Sequence, residues 1–145
     1  MARLASGDGP HGLLHPNFIG AGATLLMAAC ATDVMYLRTS IVQWARFSAW
    51  LISTGLVLAL LAAAVLIIDL VTGRAGRISW ARFLLVAAAA LLSVLNVFVH
   101  SRDAWTSVVP QGIGLSAVVT ILLLIAAVGG WRVTTEGRVA TGVRT

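Results

Sequence analysis

The sequence predicts an all-α integral membrane protein, a four-helix bundle with short loops. Of its 145 residues, 59% are hydrophobic and only 10% are charged. The apolar residues form four long runs separated by short polar stretches. A chain of this length and composition suits one membrane domain with short tails, and it leaves no room for a soluble catalytic domain. We therefore expect that the protein is not an enzyme by itself.

The second apolar run is the clearest of the four. It covers residues 47–71, and no charged residue occurs between Phe47 and Ile68. At about 1.5 Å per residue the run is about 38 Å long, which exceeds the hydrocarbon thickness of about 30 Å. A soluble helix would carry a polar stripe, whereas every side chain from Leu56 to Ile68 is apolar. This run is predicted to be a transmembrane helix.

The other three runs complete the domain organisation. The segment before the first run is rich in glycine and proline, so we expect a flexible lead-in there. The connections between runs are short, so consecutive helices should be antiparallel neighbours. The predicted spans are about 17–37, 45–72, 78–100 and 111–133, with flexible tails at 1–16 and 134–145.

The distribution of arginines predicts the orientation, because short cytoplasmic loops of membrane proteins are enriched in positive residues. The termini and the second loop carry Arg3, Arg74, Arg77, Arg82, Arg132, Arg138 and Arg144. The first and third loops carry only Arg38, Arg46 and Arg102. We predict a multi-pass protein of the bacterial inner (plasma) membrane with both termini cytoplasmic. Arginines that flank apolar spans are membrane anchors, so we expect no nucleic-acid partner.

Several polar residues fall within the outer half of the predicted spans. Polar groups in a membrane are costly, and they are candidates for function when they face the bundle interior. On the third span, Ser93, Asn96 and His100 have the spacing i, i+3 and i+7, which places them on one face of the helix. We expect contact between Asp33 and His100, and a polar pocket open to the outer face. The alternative is that the serines bond their own helices and Asp33 lies in the wet interface. The pocket candidates are Asp33, Ser93, Asn96, His100 and Ser116.

A second polar position lies at the inner edge of the second span. Asp69 is near the C-terminal end of its helix, where the macrodipole disfavours a negative charge. We expect a cationic partner to offset this cost. Arg82, at similar depth on the third helix, is the predicted partner in an inner ion pair, with Arg74 and Arg77 as alternatives.

The histidines do not predict a metal or a haem site. His11 and His15 have a spacing of i, i+4, but glycine and proline weaken a helix there and no third ligand follows. A b-type haem needs two axial ligands at similar depth, and His15 and His100 are predicted on opposite sides. Met35 with His100 is the remaining haem pair. We expect no metal and no cofactor.

A series of motifs occurs in a fixed order along the chain: Asp33, Trp50, Gly55, Asp69, Asn96, Arg102-Asp103-Ala104-Trp105, Ser116 and Gly129-Gly130-Trp131. In this order they resemble a bacterial family of four-helix membrane proteins, domain of unknown function twenty-two thirty-one (DUF2231). The resemblance covers about 16–133. Members are sometimes fused to or encoded beside Rieske or cytochrome modules, which implies a redox-associated membrane anchor. Many carry a histidine near the inner start of the third helix, where this chain has Trp80, Ala81 and Arg82.

These observations favour one function over two others. We expect an accessory or anchoring subunit beside a larger membrane or redox complex, with the bilayer and other membrane subunits or a second copy as partners. The first alternative is a b-type haem electron-transfer protein. The second is a small transporter or channel that uses Asp33 or Asp69 as a membrane-embedded carboxylate.

Overall fold

The computed structural model describes residues 14–101 and 108–134, and their regular structure is helical. Each of the four helices is long and apolar enough to cross a membrane. The predicted all-α four-helix membrane fold is therefore confirmed. The helices are α1 (His15–Thr39), α2 (Val42–Val71), α3 (Trp80–His100) and α4 (Gln111–Val128).

The turn between α1 and α2 is tighter than the sequence predicted. α1 starts two residues before the predicted span, with Pro16 in its first turn, where a missing backbone N–H costs nothing. At its other end Ser40 takes a left-handed conformation with φ 55°, and its N–H donates to the carbonyl of Tyr36 at 2.8 Å. α2 then begins at Val42, so only two residues connect the two helices. The predicted tails fall almost wholly outside the described residues.

The end of α4 differs most from the prediction. The helix was expected to reach residue 133, but it stops at Val128 before Gly129 and Gly130. Gly130 has φ 78°, a left-handed conformation that glycine adopts without steric cost. The chain then runs back against the start of α3, where the N–H of Ser79 donates to the carbonyl of Val133 at 2.8 Å. This short extended segment covers one end of the bundle.

The bundle core forms around α1. This helix packs most extensively on α2 and also contacts α4, while α3 packs mainly on α4. α2 and α3 follow one another in the chain, yet their contact is the least extensive of these pairs. The main buried cluster is apolar and consists of Ala23, Leu26, Ala29, Ile52, Ala89, Val119 and Leu123.

Two glycines allow α1 and α2 to approach closely. A Cβ atom on Gly55 would lie 2.9 Å from the Leu26 side chain and 3.2 Å from the carbonyl oxygen of Gly22. A Cβ atom on Gly22 would lie 3.1 Å from the carbonyl oxygen of Gly55. Backbone approach through small residues is a main source of helix association in lipid. The α1–α2 hairpin depends on this contact.

Replacing Gly55 by alanine is expected to lower the free energy of unfolding by about 1–3 kcal/mol, because the added methyl group overpacks this contact. Thermal or chemical unfolding in detergent micelles measures the change. Gly114→Ala is the matched control, since nothing lies within 4 Å of a Cβ atom there. Alanine at that helical position should be neutral or slightly stabilising. Equal effects of the two substitutions would show that the α1–α2 approach is not tight.

Candidate functional site

A cluster of polar side chains lies where α1, α3 and α4 meet at one end of the bundle. His100 Nε2 on α3 is 3.0 Å from Asp33 Oδ1 on α1. The hydroxyl of Ser116 on α4 donates to Asp33 Oδ2. Asp33 is fully buried. The contact predicted between Asp33 and His100 is present, and one carboxylate joins three helices.

Asn96 extends this cluster through Ser116. Its Nδ2 donates to Ser116 Oγ at 2.8 Å. The one hydroxyl proton of Ser116 is given to Asp33, so the serine oxygen accepts at this contact, and this fixes the orientation of the amide. Asn96 Oδ1 has no hydrogen-bond partner among the described residues. The cluster therefore runs from Asp33 through Ser116 to Asn96 as one hydrogen-bonded chain.

Both ring nitrogens of His100 face acceptors. Nε2 faces the carboxylate of Asp33, and Nδ1 is 3.0 Å from the carbonyl oxygen of Asn96. A neutral imidazole carries a single N–H, so both hydrogen bonds form together only when the Nε2–Asp33 contact holds a second proton, either on the ring as in the imidazolium ion or on the Asp33 carboxyl. The side chains of His100 and Asp33 are 1% and 0% exposed. Two opposite charges in contact offset part of the cost of burying either one alone.

Ser93 was predicted to share this site, but it does not join the cluster. It is buried on the same helix as Asn96, and its hydroxyl donates to the carbonyl of Ala89 on its own helix at 2.8 Å. This agrees with the alternative given in the sequence analysis, in which a serine donates a hydrogen bond to its own helix. The other four predicted residues bond one another, so this part of the structure is a closed cluster rather than the wall of an open pocket.

The polar pair at the opposite end corrects the sequence prediction. Asp69 Oδ2 is 3.0 Å from His15 Nδ1, and the two side chains are 6% and 0% exposed. Arg82, the predicted partner, instead donates from Nη1 to the carbonyl of Arg132 at 2.8 Å. The predicted Asp69–Arg82 pair is therefore wrong. His15 was missed because the sequence placed it in a tail, whereas it is the first residue of α1 and packs against the end of α2.

The His15–Asp69 pair leaves one ring nitrogen of the histidine without a hydrogen bond to any described residue. His15 Nε2 is buried and has no hydrogen-bond partner among the described residues. The main-chain carbonyl of Asp69 also accepts two hydrogen bonds from the turn that follows α2. The donors are the backbone N–H groups of Arg74 at 2.9 Å and of Ala75 at 3.0 Å. A proton on Nδ1 alone satisfies the bond to Asp69, so this pair does not require a charged histidine.

The geometry does not fit the axial ligands of a haem. Both nitrogens of His100 are engaged, and Met35, its predicted axial partner, is 38% exposed on the outside of the bundle. Within residues 14–101 and 108–134, no three histidine, cysteine or acidic side chains converge on one point. His11 lies outside the described residues, as does the motif at 102–105.

One comparison with known proteins gives a match, and it covers nearly the whole chain. The model of a family described as a predicted membrane protein, DUF2231, matches residues 12–142. No curated protein and no solved structure matches. The match includes all four helices and both His–Asp pairs. The chain belongs to the DUF2231 family of predicted membrane proteins.

Proposed function

We propose that the protein is an accessory or anchoring subunit of a larger membrane complex in the bacterial inner membrane. One observation supports this most directly. Most of the buried polar side chains among the described residues join helices to one another, by the Asp33 cluster at one end and by the His15–Asp69 pair at the other. Because these polar groups hold the helices of the bundle together, we expect contacts with other proteins to form on the outer surface.

That outer surface is apolar and carries large side chains. Trp50 on α2 is 74% exposed, and bulky residues on α3 and α4 are also exposed. In a bilayer such residues contact either lipid or the helices of another subunit. A partner is expected to cover one sector of this surface. Representative positions around the bundle are Trp50, Leu60, Leu91, Phe98, Ile121 and Leu124.

The transport alternative has less support from the geometry. The two buried carboxylates, Asp33 and Asp69, belong to the clusters at opposite ends of the bundle, and the main core between them is apolar. A proton path requires polar side chains or water across the membrane interior. Proton flux into liposomes is therefore expected to be the same for the parent protein and for Asp33→Asn.

A cross-linking scan in intact cells tests the proposal. A photoreactive amino acid is introduced singly at the six exposed positions named above. An accessory subunit should cross-link efficiently to one membrane protein from neighbouring positions on one sector, and only to lipid from the others. Cross-links that disappear when cells are dissolved in harsh detergent before illumination identify a native contact.

The contradicting result is equally specific. If all six positions give only lipid adducts, or a weak mixture of unrelated proteins, the chain has no stable partner. Cross-links only to a second copy of the same chain would show a homo-oligomer instead of a subunit of a larger complex.

We also infer that both termini are cytoplasmic. In the structure the inner-pair end of the bundle has Arg74 and Arg77 in the loop after α2 and Arg132 after α4. A reporter fused after Thr145, active only in the cytoplasm, should therefore be active. The same reporter placed in the turn at Ser40 should be inactive. The reverse pair of results would invert the orientation.

A further inference from the structure

The bundle contains an apolar cavity in the half that holds His15 and Asp69. Its volume is about 340 Å³, and it lies between α1, α2 and α3. Many of its lining residues are small, so the helices on either side leave space that no side chain fills. Its lining on the side of α2 and α3 includes Ala63, Phe83, Ala87, Ala90 and Leu91.

The cavity opens sideways between α2 and α3. Ala63 and Leu91 line it and are exposed, and Ala87 and Ala90 are only half-buried although they lie on the bundle side of α3. The side-chain hydrogen bonds between described helices join α1 to α2, α3 and α4, and α3 to α4. None joins the described residues of α2 to those of α3. The opening therefore faces the hydrocarbon of one leaflet.

An opening of this kind takes a hydrocarbon chain. Apolar cavities of about 150 Å³ already bind small hydrocarbons rather than water. A volume of about 340 Å³ is within the range of about 300–1,000 Å³ that is typical of ligand pockets. Lipid tails surround this side of the bundle, so the molecule adjacent to the opening is an acyl chain.

The charges at the inner end of the cavity select the headgroup. Phe83 and Val133 line that end, and they are adjacent in sequence to Arg82 and Arg132. Arg74 is exposed in the loop that joins α2 to α3, at the same end of the bundle. The acidic residue described at this end, Asp69, is already paired with His15.

Arg82 is held in place at this rim. Its Nη1 donates to the carbonyl of Arg132, and its side chain packs so closely on Gly129 that a Cβ atom there would lie 2.7 Å from Arg82 Nε. A planar guanidinium in a fixed position is well suited to bind phosphate. Basic sites between transmembrane helices on the cytoplasmic side are typical of anionic lipid binding.

We propose that this α2–α3 groove is a binding site for one anionic phospholipid, with an acyl chain in the cavity and its phosphate at Arg74 and Arg82. The site does not depend on the accessory-subunit function.

Native mass spectrometry of the full chain in an uncharged detergent tests the proposal with phosphatidylglycerol as the probe. One phosphatidylglycerol per chain should be retained at concentrations where phosphatidylcholine is not. The double variant Arg74→Gln/Arg82→Gln should retain about 25-fold less phosphatidylglycerol, since each arginine near an anionic headgroup contributes about fivefold. Glycerol phosphate, which has the headgroup without acyl chains, should not bind.

Two variants test the groove itself. Ala90→Phe and Ala87→Leu place bulk in the cavity and should reduce retention of phosphatidylglycerol with little change in thermal stability. Ala64→Phe is the matched control, because Ala64 is exposed on α2 and does not line the cavity. Arg38→Gln/Arg46→Gln removes the same number of charges from the opposite end and should have no effect.

Four results would overturn the proposal. Equal retention of the two lipids would remove the headgroup selection. Binding of glycerol phosphate at the affinity of the lipid would remove the role of the groove. Retention that is unaffected by Ala90→Phe and by the arginine double variant would place the lipid elsewhere. A dimer that Ala90→Phe converts to monomer would show that a second copy of the chain occupies the groove.

Discussion

Replacing Asp33 by alanine is expected to lower the free energy of unfolding by about 3–5 kcal/mol, one of the two largest effects of a single substitution in this chain. The carboxylate accepts hydrogen bonds from His100 and Ser116, and all three groups are buried. Its removal leaves a buried donor on each of the other two helices without an acceptor. Reversible unfolding in detergent micelles measures the loss.

The control for this effect is Ser93→Ala. Ser93 is as buried as Asp33, but it bonds only the carbonyl of Ala89 on its own helix. Its removal should cost less than about 1 kcal/mol. The double variant Asp33→Ala/His100→Ala should lose less than the sum of the single losses, because His100 no longer remains as an unpaired partner and only the Ser116 hydroxyl lacks its acceptor. Strict additivity would show that the two residues do not interact.

Replacing Asp69 by alanine is expected to cost about 3 kcal/mol, the second large effect. The substitution leaves His15 buried at the start of α1 with neither ring nitrogen bonded to a described residue. It also detaches the start of α1 from the end of α2, so protease sensitivity should rise at this end of the bundle. Unfolding in micelles, as for Asp33, gives the magnitude.

A pair of double-mutant cycles identifies the partner of Asp69. Asp69→Asn combined with His15→Gln should show a coupling energy of about 1 kcal/mol or more. Asp69→Asn combined with Arg82→Gln should be additive, because Arg82 bonds the carbonyl of Arg132 instead. Coupling with Arg82 and none with His15 would contradict the structure at this end.

The fold and part of the outer cluster could be predicted because they depend on local information. Uninterrupted apolar runs of more than 20 residues rarely form any structure other than a membrane helix. The depth of Asp33 and His100 follows from their distance to the ends of their spans, and the helical period places His100 and Asn96 on one face. Similar depth permits contact between Asp33 and His100, and the cost of exposing polar groups to lipid favours turning them towards the bundle interior.

The remaining features depend on contacts between distant segments. Glycine and proline made residues 1–16 look like a tail, but α1 starts at His15, which bonds Asp69 some 54 positions later. The end of α4 is set by Gly129 and Gly130 together with the pairing of Val133 and Ser79. Whether polar residues on facing helices line an open pocket or bond one another depends on helix rotation, which the sequence pattern does not fix.

The structure also gives the two ends of the bundle different roles. The Asp33 cluster joins α1, α3 and α4, while the His15–Asp69 pair joins only α1 and α2. α2 and α3 are therefore neighbours without a polar connection between described residues, and the groove lies between them. A lipid or subunit that stabilises the protein is expected to act on this side.

Cysteine accessibility tests most directly whether the Asp33 cluster is closed to water. Cys30→Ala removes the one native thiol, and Ser93→Cys or Ser116→Cys then introduces a thiol at a buried position. A membrane-impermeant maleimide is applied to vesicles of each orientation, with the exposed Arg38→Cys as the positive control. The account predicts labelling of Arg38→Cys alone, with the buried thiols reacting only after denaturation. Rapid labelling of Ser93→Cys or Ser116→Cys in the folded protein would show an open, water-filled pocket and contradict the account.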